Sequence, residues 1–305
     1  MTDPSGVLIL HKPAGMTSHD CVSRVRRLFQ TKKVGHIGTL DPDVTGVLPI
    51  CIGKATRIVE YLQDLPKAYE AVLRLGMSTT TEDAAGEAID VSPVDPSAIT
   101  PERVRSLFEQ FTGEIEQVPP MYSAVKVNGK RLHQFARQGQ VVERAPRKVT
   151  IYQLLLHHID YADSIDISFY CRCSKGTYIR TLCVDLGAAL GYPAHMARLV
   201  RVESGSFRLE QAVTLESLET LRQGGEDLSG VLVSIDEALS FLPRWEVPEH
   251  RRKAVLNGLE TALLNAEYPE GTLIRLYAGD ALLGIHRVCM GPRGPFAKAE
   301  KVFQS

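Results

Sequence analysis

The sequence lacks any apolar run long enough to cross a bilayer; the longest, such as Val149–Leu156, are broken by polar residues. Its opening residues, Met1–Pro13, carry no charged segment followed by a long apolar stretch, so no secretory leader is expected. Six cysteines, at 21, 51, 171, 173, 183 and 289, are scattered and never form the C-x-x-C pairs that zinc sites use. Cys171 and Cys173 alternate on one face of a predicted strand, the pattern of buried thiols, and a reducing, cytoplasmic setting follows. Catalytic motifs are missing too. There is no H-E-x-x-H, no G-x-S-x-G, and no G-x-G-x-x-G after a strand. Gly53-Lys54 superficially suggests a phosphate loop, but Leu48 replaces its first glycine and Ala55 stands where a hydroxyl should hold magnesium. Chemistry is thereby narrowed to side chains alone, with no metal and no cofactor expected.

Excess charge of one sign is absent as well: the net charge is −1 over 305 residues and 33.6 kDa. The chain is long enough for a sizeable core and for two domains. With 44% hydrophobic and 23% charged residues, its composition is that of a soluble globular protein. Charge is nevertheless segregated. Lys126–Lys148 holds seven Lys/Arg against one acid, Glu143, whereas Ser78–Pro120 holds nine acids against two arginines. A local basic surface of this kind is what phosphate binding requires, though charge alone favours a solvated loop.

Periodicity predicts a strand over Gly6–Leu10, a turn, and a helix capped by Ser18 with the apolar stripe Val22, Val25, Leu28 and Phe29. Gly35–Asp43 has two glycines, a proline and no helical period, and is expected to be a loop. A buried strand over Thr45–Gly53 and a short helix over Lys54–Leu62 follow. Lys67–Gly76 alternates as a strand, and Thr100-Pro101 opens a helix. Met121–Val127 is predicted as a strand ending in the turn pair Asn128-Gly129. Val149–His158 pairs with Ser164–Cys173, and Tyr178–Leu190 is helical with Gly191 as its stop. Gln223–Gly230 is a predicted loop and Ser234–Phe241 a helix, with a boundary near Leu242–Arg244. Beyond it, Leu273–Tyr277 and Ala281–Val288 are strands joined through Ala278-Gly279-Asp280. Strands and helices mix without steady alternation, which argues for an α+β fold.

The most unusual stretch is Gly35-His36-Ile37-Gly38-Thr39-Leu40-Asp41-Pro42-Asp43, continuing through Thr45-Gly46. Its glycines let backbone approach a ligand closely, and Pro42 biases Asp41 toward an extended conformation. A carboxylate is fixed on a rigid turn beside an apolar strand, where partial desolvation tunes its basicity or nucleophilicity. An arbitrary Asp-Pro pair is only a turn; the surrounding sequence is what singles this one out.

With Val47-Leu48-Pro49, this stretch resembles the signature loop of the bacterial TruB family of tRNA pseudouridine-55 synthases. Four further segments agree in order and spacing. They are Lys12-Pro13-Ala14-Gly15-Met16-Thr17-Ser18; Lys67-Ala68-Tyr69-Glu70 with Leu75-Gly76 and Thr79–Gly86; Val118–Lys126; and Cys173–Arg180 with Asp185-Leu186-Gly187 and His195–Arg201. The resemblance covers roughly residues 6–207. It implies a pseudouridine synthase fold, a mixed and largely antiparallel sheet flanked by helices, over residues 1–243. It also implies a small β-rich PUA-like RNA-binding domain over 244–305, where Leu259-Glu260-Thr261-Ala262 departs from the usual pattern.

The same resemblance assigns Asp41 as the catalytic aspartate of a cofactor-free isomerisation, in which uracil is detached from its ribose, rotated and rejoined through C5. Tyr69 matches the tyrosine stacking on the target base, and Arg180 the arginine that pairs with the aspartate and holds it ionised. Tyr178 and Leu199 match positions lining the uracil pocket, and His36 the histidine stacking where the base leaves the T loop. Lys12 and Pro13 match a motif that supports the loop. The basic segment 126–148 corresponds to an insertion clamping the RNA stem-loop, with phosphates held by Lys130, Arg131, Arg137, Arg144, Arg147 and Lys148 in some combination. The expected partner is the T stem-loop of tRNA, with no obligatory protein partner and no membrane. Two other classes compete: an RNA-folding protein in which catalysis is secondary, and a carboxylate glycosidase with Asp43 or Asp83 as second acid.

Overall fold

The computed structural model describes residues 4–127, 129–136, 138–263 and 267–303. Strand β1 (Gly6–Lys12) reads as an unbroken apolar run because neither of its faces meets water. It pairs antiparallel with the equally buried β3 (Thr45–Ile52), onto whose other end the short β2 (Val34–His36) is added. The rest of this sheet comprises β4 (Lys67–Leu75), β5 (Gly113–Gln117), β6 (Arg147–Asp160), β7 (Asp166–Cys173), β8 (Ala194–Ser204), β9 (Phe207–Arg208) and β10 (Leu232–Val233). The spatial order is β10-β1-β3-β8-β4-β7-β6-β5, with β2 and β9 as side branches on β3 and β8. Among the described strands of this sheet, the pairing of β3 with β8 is parallel and the others are antiparallel. The mixed, largely antiparallel α+β architecture is the one expected.

Helices α1 (Ser18–Leu28), α2 (Pro101–Gln110), α3 (Ile179–Leu190) and α4 (Leu215–Gln223) cover one face. There Ala71, Leu73, Ile167, Phe169 and Cys171 of the sheet meet Val25, Phe108, Leu182 and Leu218 of the helices. Phe108 stands edge-on to Phe169 with ring centroids 5.6 Å apart. Thr100 caps α2 as expected, and Gly191, at φ +92°, ends α3. All of Cys21, Cys51, Cys171, Cys173 and Cys183 are buried free thiols.

The opposite face of β1 and β3 is covered differently. Val7, Ile9, Val47 and Cys51 pack with Leu239, Leu242 and Ile285, the last from a second sheet. That sheet is built from β11 (Arg244–Glu246), β12 (Thr261–Ala262), β13 (Leu273–Ala278), β14 (Ala281–Gly291) and β15 (Gly294–Val302), in the order β11-β13-β14-β15-β12. Polar clamps ring this contact. Arg275 holds the Asp236 carboxylate at 2.6 Å and the Leu242 carbonyl at 3.0 Å, and the Tyr277 hydroxyl also donates to Asp236. Arg57 reaches the Val302 carbonyl at 2.6 Å, and Lys301 pairs with Glu60 at 2.8 Å.

Three expectations are corrected. The cap of α1 is Thr17, not Ser18: Thr17 and Asp20 form a reciprocal capping box, because Ser18 is turned inward to another task. The loop predicted over Gly35–Asp43 starts later, since Val34–His36 pairs with Cys51 and its neighbours. Met121–Ala124 is not a strand. Only Lys126–Val127 pairs, with Lys130–Arg131, because the preceding segment gives its carbonyls to side chains; Asn128 of the expected turn lies outside the described residues.

The parallel contact of β3 with β8 depends on a missing side chain. Gly46 has φ +107°, and a Cβ there would stand 2.1 Å from the Arg201 carbonyl oxygen. Gly46→Ala should therefore cost more than about 2 kcal/mol, combining left-handed strain with a backbone clash. Urea unfolding measures this, and an unchanged midpoint would contradict the tight approach.

Candidate active site

The glycine-proline loop between β2 and β3 is held by its backbone. Lys12, fully buried at the end of β1, donates to the carbonyls of Pro42 (2.7 Å), Val44 (2.8 Å) and Pro13 (2.9 Å). Ser18 both receives the Leu40 N–H at 2.9 Å and donates to the Leu40 carbonyl at 3.1 Å. Arg201, 1% exposed, donates to Val47 O at 2.6 Å and Gly38 O at 3.1 Å. Gly15 N–H adds a bond to Pro42 O. These contacts leave the loop little freedom beneath Asp41. Burial lowers the Lys12 pKa, while the carboxylates of Asp43 and Asp41 oppose that shift.

Asp41 lies where this loop faces α3. Its Oδ2 is 3.2 Å from Nη2 of Arg180, and 45% of its side chain remains open to solvent. Arg180, only 6% exposed, is shared. It donates to the carbonyls of Thr81 (2.9 Å) and Tyr122 (2.8 Å), and its Nη1 lies 3.6 Å from the Asp83 carboxylate. The Asp41 carboxyl is pushed up by desolvation, with Arg180 pulling the other way and Asp83 adding to the rise. Desolvation is the larger influence on this acid, and the Arg180 guanidinium acts against it in favour of the ionised form. The wall behind the carboxylate matters more, although its open face limits the effect.

Tyr69 and Leu199 stand on the neighbouring strands β4 and β8, where Arg201 pairs with Tyr69 and Leu199 with Ala71. Arg201 also hydrogen-bonds the Tyr69 side chain, and burial pushes that phenol up to about 12, so it stays protonated. One guanidinium thus links Tyr69 to the loop carrying Asp41. Tyr178 precedes the first turn of α3, two residues from Arg180. Gln117 fixes it, receiving the Tyr178 N–H at 3.0 Å and donating to its carbonyl at 3.2 Å. His36, on β2, has its pKa lowered first by burial, with Arg201 and His19 adding to the shift and the Gly38 backbone opposing it.

The basic segment is less uniform. Lys130, Arg131 and Arg147 are exposed, with the Lys130 ammonium 6.0 Å from the Phe135 ring centre. Arg144 is half-buried and donates to Pro119 O at 2.9 Å; Lys148 pairs with Glu114 at 2.8 Å. Arg137 lies outside the described residues. Sequence reasoning missed Arg201 and Gln117, took Ser18 for a helix cap, and weighed Asp83 only as the second acid of a glycosidase. No local pattern marks them: Arg201 meets partners 154 and 163 positions away. Among the described residues, no group of three His, Cys, Asp or Glu side chains is placed to hold a metal ion.

In chemical terms, a half-open carboxylate sits against a buried guanidinium on a loop held by two further buried cations, an arrangement that suits a nucleophile or base beside a polyanion.

Comparison with known proteins gives a consistent set of matches. Residues 26–179 match the N-terminal domain of the TruB family pseudouridylate synthases, and 180–240 the C-terminal domain of tRNA pseudouridylate synthase B. The chain is 52% identical over 256 residues to the tRNA pseudouridine synthase B of Geobacillus kaustophilus, covering 83% of this chain and 89% of the relative. To the Bacillus subtilis protein of that name it is 48% identical over 280 residues, covering 90% and 89%. Among solved structures, an H/ACA ribonucleoprotein bound to a substrate RNA containing 2'-deoxyuridine has a chain that aligns with TM-score 0.74 at 26% identity. The alignment covers 98% of this chain and 85% of that one. A chain of a Cbf5-Nop10-Gar1 complex aligns with TM-score 0.75 at 28% identity and the same coverage.

Two outcomes follow from the electrostatics. Because Arg180 lowers the Asp41 pKa, Arg180→Met should raise it further, visible in a carbon-13 titration of the Asp41 carboxyl; a fall would refute the pairing. Asp185, on α3, is pushed up to about 6, first by burial and then by Glu82. Its proton is held more tightly in the folded chain, so its contribution to stability is full below 3.8 and is lost as pH rises through about 6. Asp185→Asn should flatten that part of the stability-pH curve in urea titrations.

Proposed function

The chain belongs to the TruB family of pseudouridylate synthases, and from that premise we propose that it isomerises uridine 55 in the tRNA T loop, with Asp41 as the catalytic carboxylate. As a member of this family it is an isomerase that converts uridine to pseudouridine in tRNA. The observation that carries the assignment of Asp41 is its contact with the buried Arg180 on a loop pinned by Lys12, Ser18 and Arg201.

A uracil inside a folded T loop cannot be reached in place, so it is turned outward at a cost of a few kcal/mol of stacking, offset by contacts in the pocket. Tyr69 and Tyr178 supply those faces, Leu199 closes the apolar side, and His36 stacks where the base left. The Asp41 carboxylate then attacks the sugar or the base. In either route the C1′–N1 bond breaks, the uracil turns, C1′ bonds to C5, and the bond to the Asp41 carboxylate is broken again, which regenerates the free carboxylate. The C5 proton leaves and N1 gains one, so atoms balance without a co-reactant. Arg180 opposes the burial-driven rise in the Asp41 pKa and so favours the ionised nucleophile.

Outside the pocket, Lys130, Arg131 and Arg147 offer exposed charge for the phosphates of the stem, with Arg144 and Lys148 joining by exchanging their present partners. We place the catalytic part at 1–243 and an RNA-binding module at 244–305, acting in the cytoplasm without an obligatory protein partner. No helix among the described residues is long and apolar enough to cross a membrane.

Asp41→Asn tests the assignment. Pseudouridine in a tRNA transcript, mapped by carbodiimide adducts or mass spectrometry, should fall by at least roughly a thousandfold while tRNA binding stays near the unmodified protein's. Retained turnover in that variant would remove Asp41 from the reaction.

A further inference from the structure

We infer that Glu82 is a positioning residue for Arg180, holding its helix turn to the acidic turn that cradles the guanidinium. Glu82 has φ +64°, one of two non-glycine residues in the left-handed region among those described. Such a conformation is strained in a residue with a side chain and persists where neighbouring contacts fix it. They do so here. The Glu82 N–H bonds to Thr79 O (3.2 Å), its carbonyl accepts from Met196 N (3.0 Å), and Ala84 N–H returns to Met196 O (3.1 Å). The turn is thereby locked to β8, the strand that also carries Leu199 and Arg201.

The left-handed residue makes consecutive groups point to different partners. Thr81 gives its carbonyl to Nη1 of Arg180, and the Asp83 carboxylate lies 3.6 Å from the same nitrogen. Between them, the Glu82 carboxylate accepts the Thr181 hydroxyl at 2.7 Å, and Thr181 follows Arg180 in the first turn of α3. An anion is favoured at a helix N-terminus. Three successive residues thus grip one helix turn: two hold the guanidinium, and the third holds the hydroxyl of the residue that follows it. Asp83 is itself fixed by Thr81 Oγ1 at 2.5 Å and by the Ala85 N–H at 3.1 Å, so a shift at residue 82 would displace both ligands of Nη1 together.

The inference rests on the assignment of Arg180 and Asp41 to the reaction, and its test separates the two. Glu82→Gly removes the left-handed cost while deleting the carboxylate, so its Tm should stay within a few degrees of the parent's. Its kcat for pseudouridine formation should nevertheless fall on the order of tenfold or more, with KM and tRNA affinity unchanged, as expected when a reacting group is slightly misplaced. Thr181→Val should reproduce that loss. Glu82→Gln, which keeps an acceptor at the same reach, should restore most of kcat. A Glu82→Gly protein with parental kcat would overturn the inference, as would a loss of kcat matched by an equal loss of tRNA affinity. If the parent protein formed no pseudouridine, the functional assignment itself would fail instead.

Discussion

A guanidinium with almost no surface of its own sits at the centre of this molecule. Arg180 meets two carboxylates and two backbone carbonyls, drawn from the Asp41 loop, the turn at 81–83 and the segment at Tyr122. Burying an arginine is costly unless its N–H groups are matched by acceptors and its charge by an anion. Three segments distant in sequence must therefore converge on α3, and their convergence defines the pocket. Because neither Asp41 nor Asp83 has the guanidinium to itself, neither acid is locked into a closed ion pair.

A second layer of buried cations works through carbonyls. Lys12, Lys67 and Arg201 are all 6% exposed or less, and they donate to main-chain oxygens rather than to carboxylates. Desolvation holds the Lys67 ammonium down to about 8, with the charge of Arg201 adding to the shift. Carbonyl dipoles satisfy these groups without cancelling their charge. Positive potential therefore remains beneath a site that receives a polyanion, in a protein whose net charge is nearly zero. The backbone also gains rigidity, since each cation ties loop carbonyls that would otherwise need water.

The second sheet is attached with similar economy. Ile285 enters the core on the back of β1 and β3, while Arg275, Arg57 and Lys301 clamp the rim. The family matches stop at residue 240, before this sheet begins, whereas the alignments to solved structures span 98% of the chain.

Local sequence determined the elements whose cause is local. Alternation in Lys67–Leu75, the Thr100-Pro101 cap and the Gly191 stop were legible because each acts within a few residues. Asp41 was singled out by the resemblance of its loop and neighbouring segments to a family pattern, and the fold sets it against Arg180. Tertiary structure alone decided which side chains serve that loop. Ser18 looked like a cap but binds Leu40, Arg201 closed a motif without a role but joins Tyr69 to Gly38, and nothing around Glu82 foretold its left-handed backbone. The physical reason is common to all three. A buried polar group must find its partner wherever the chain brings one, and here those partners lie on strands and turns that meet only after the sheet has formed.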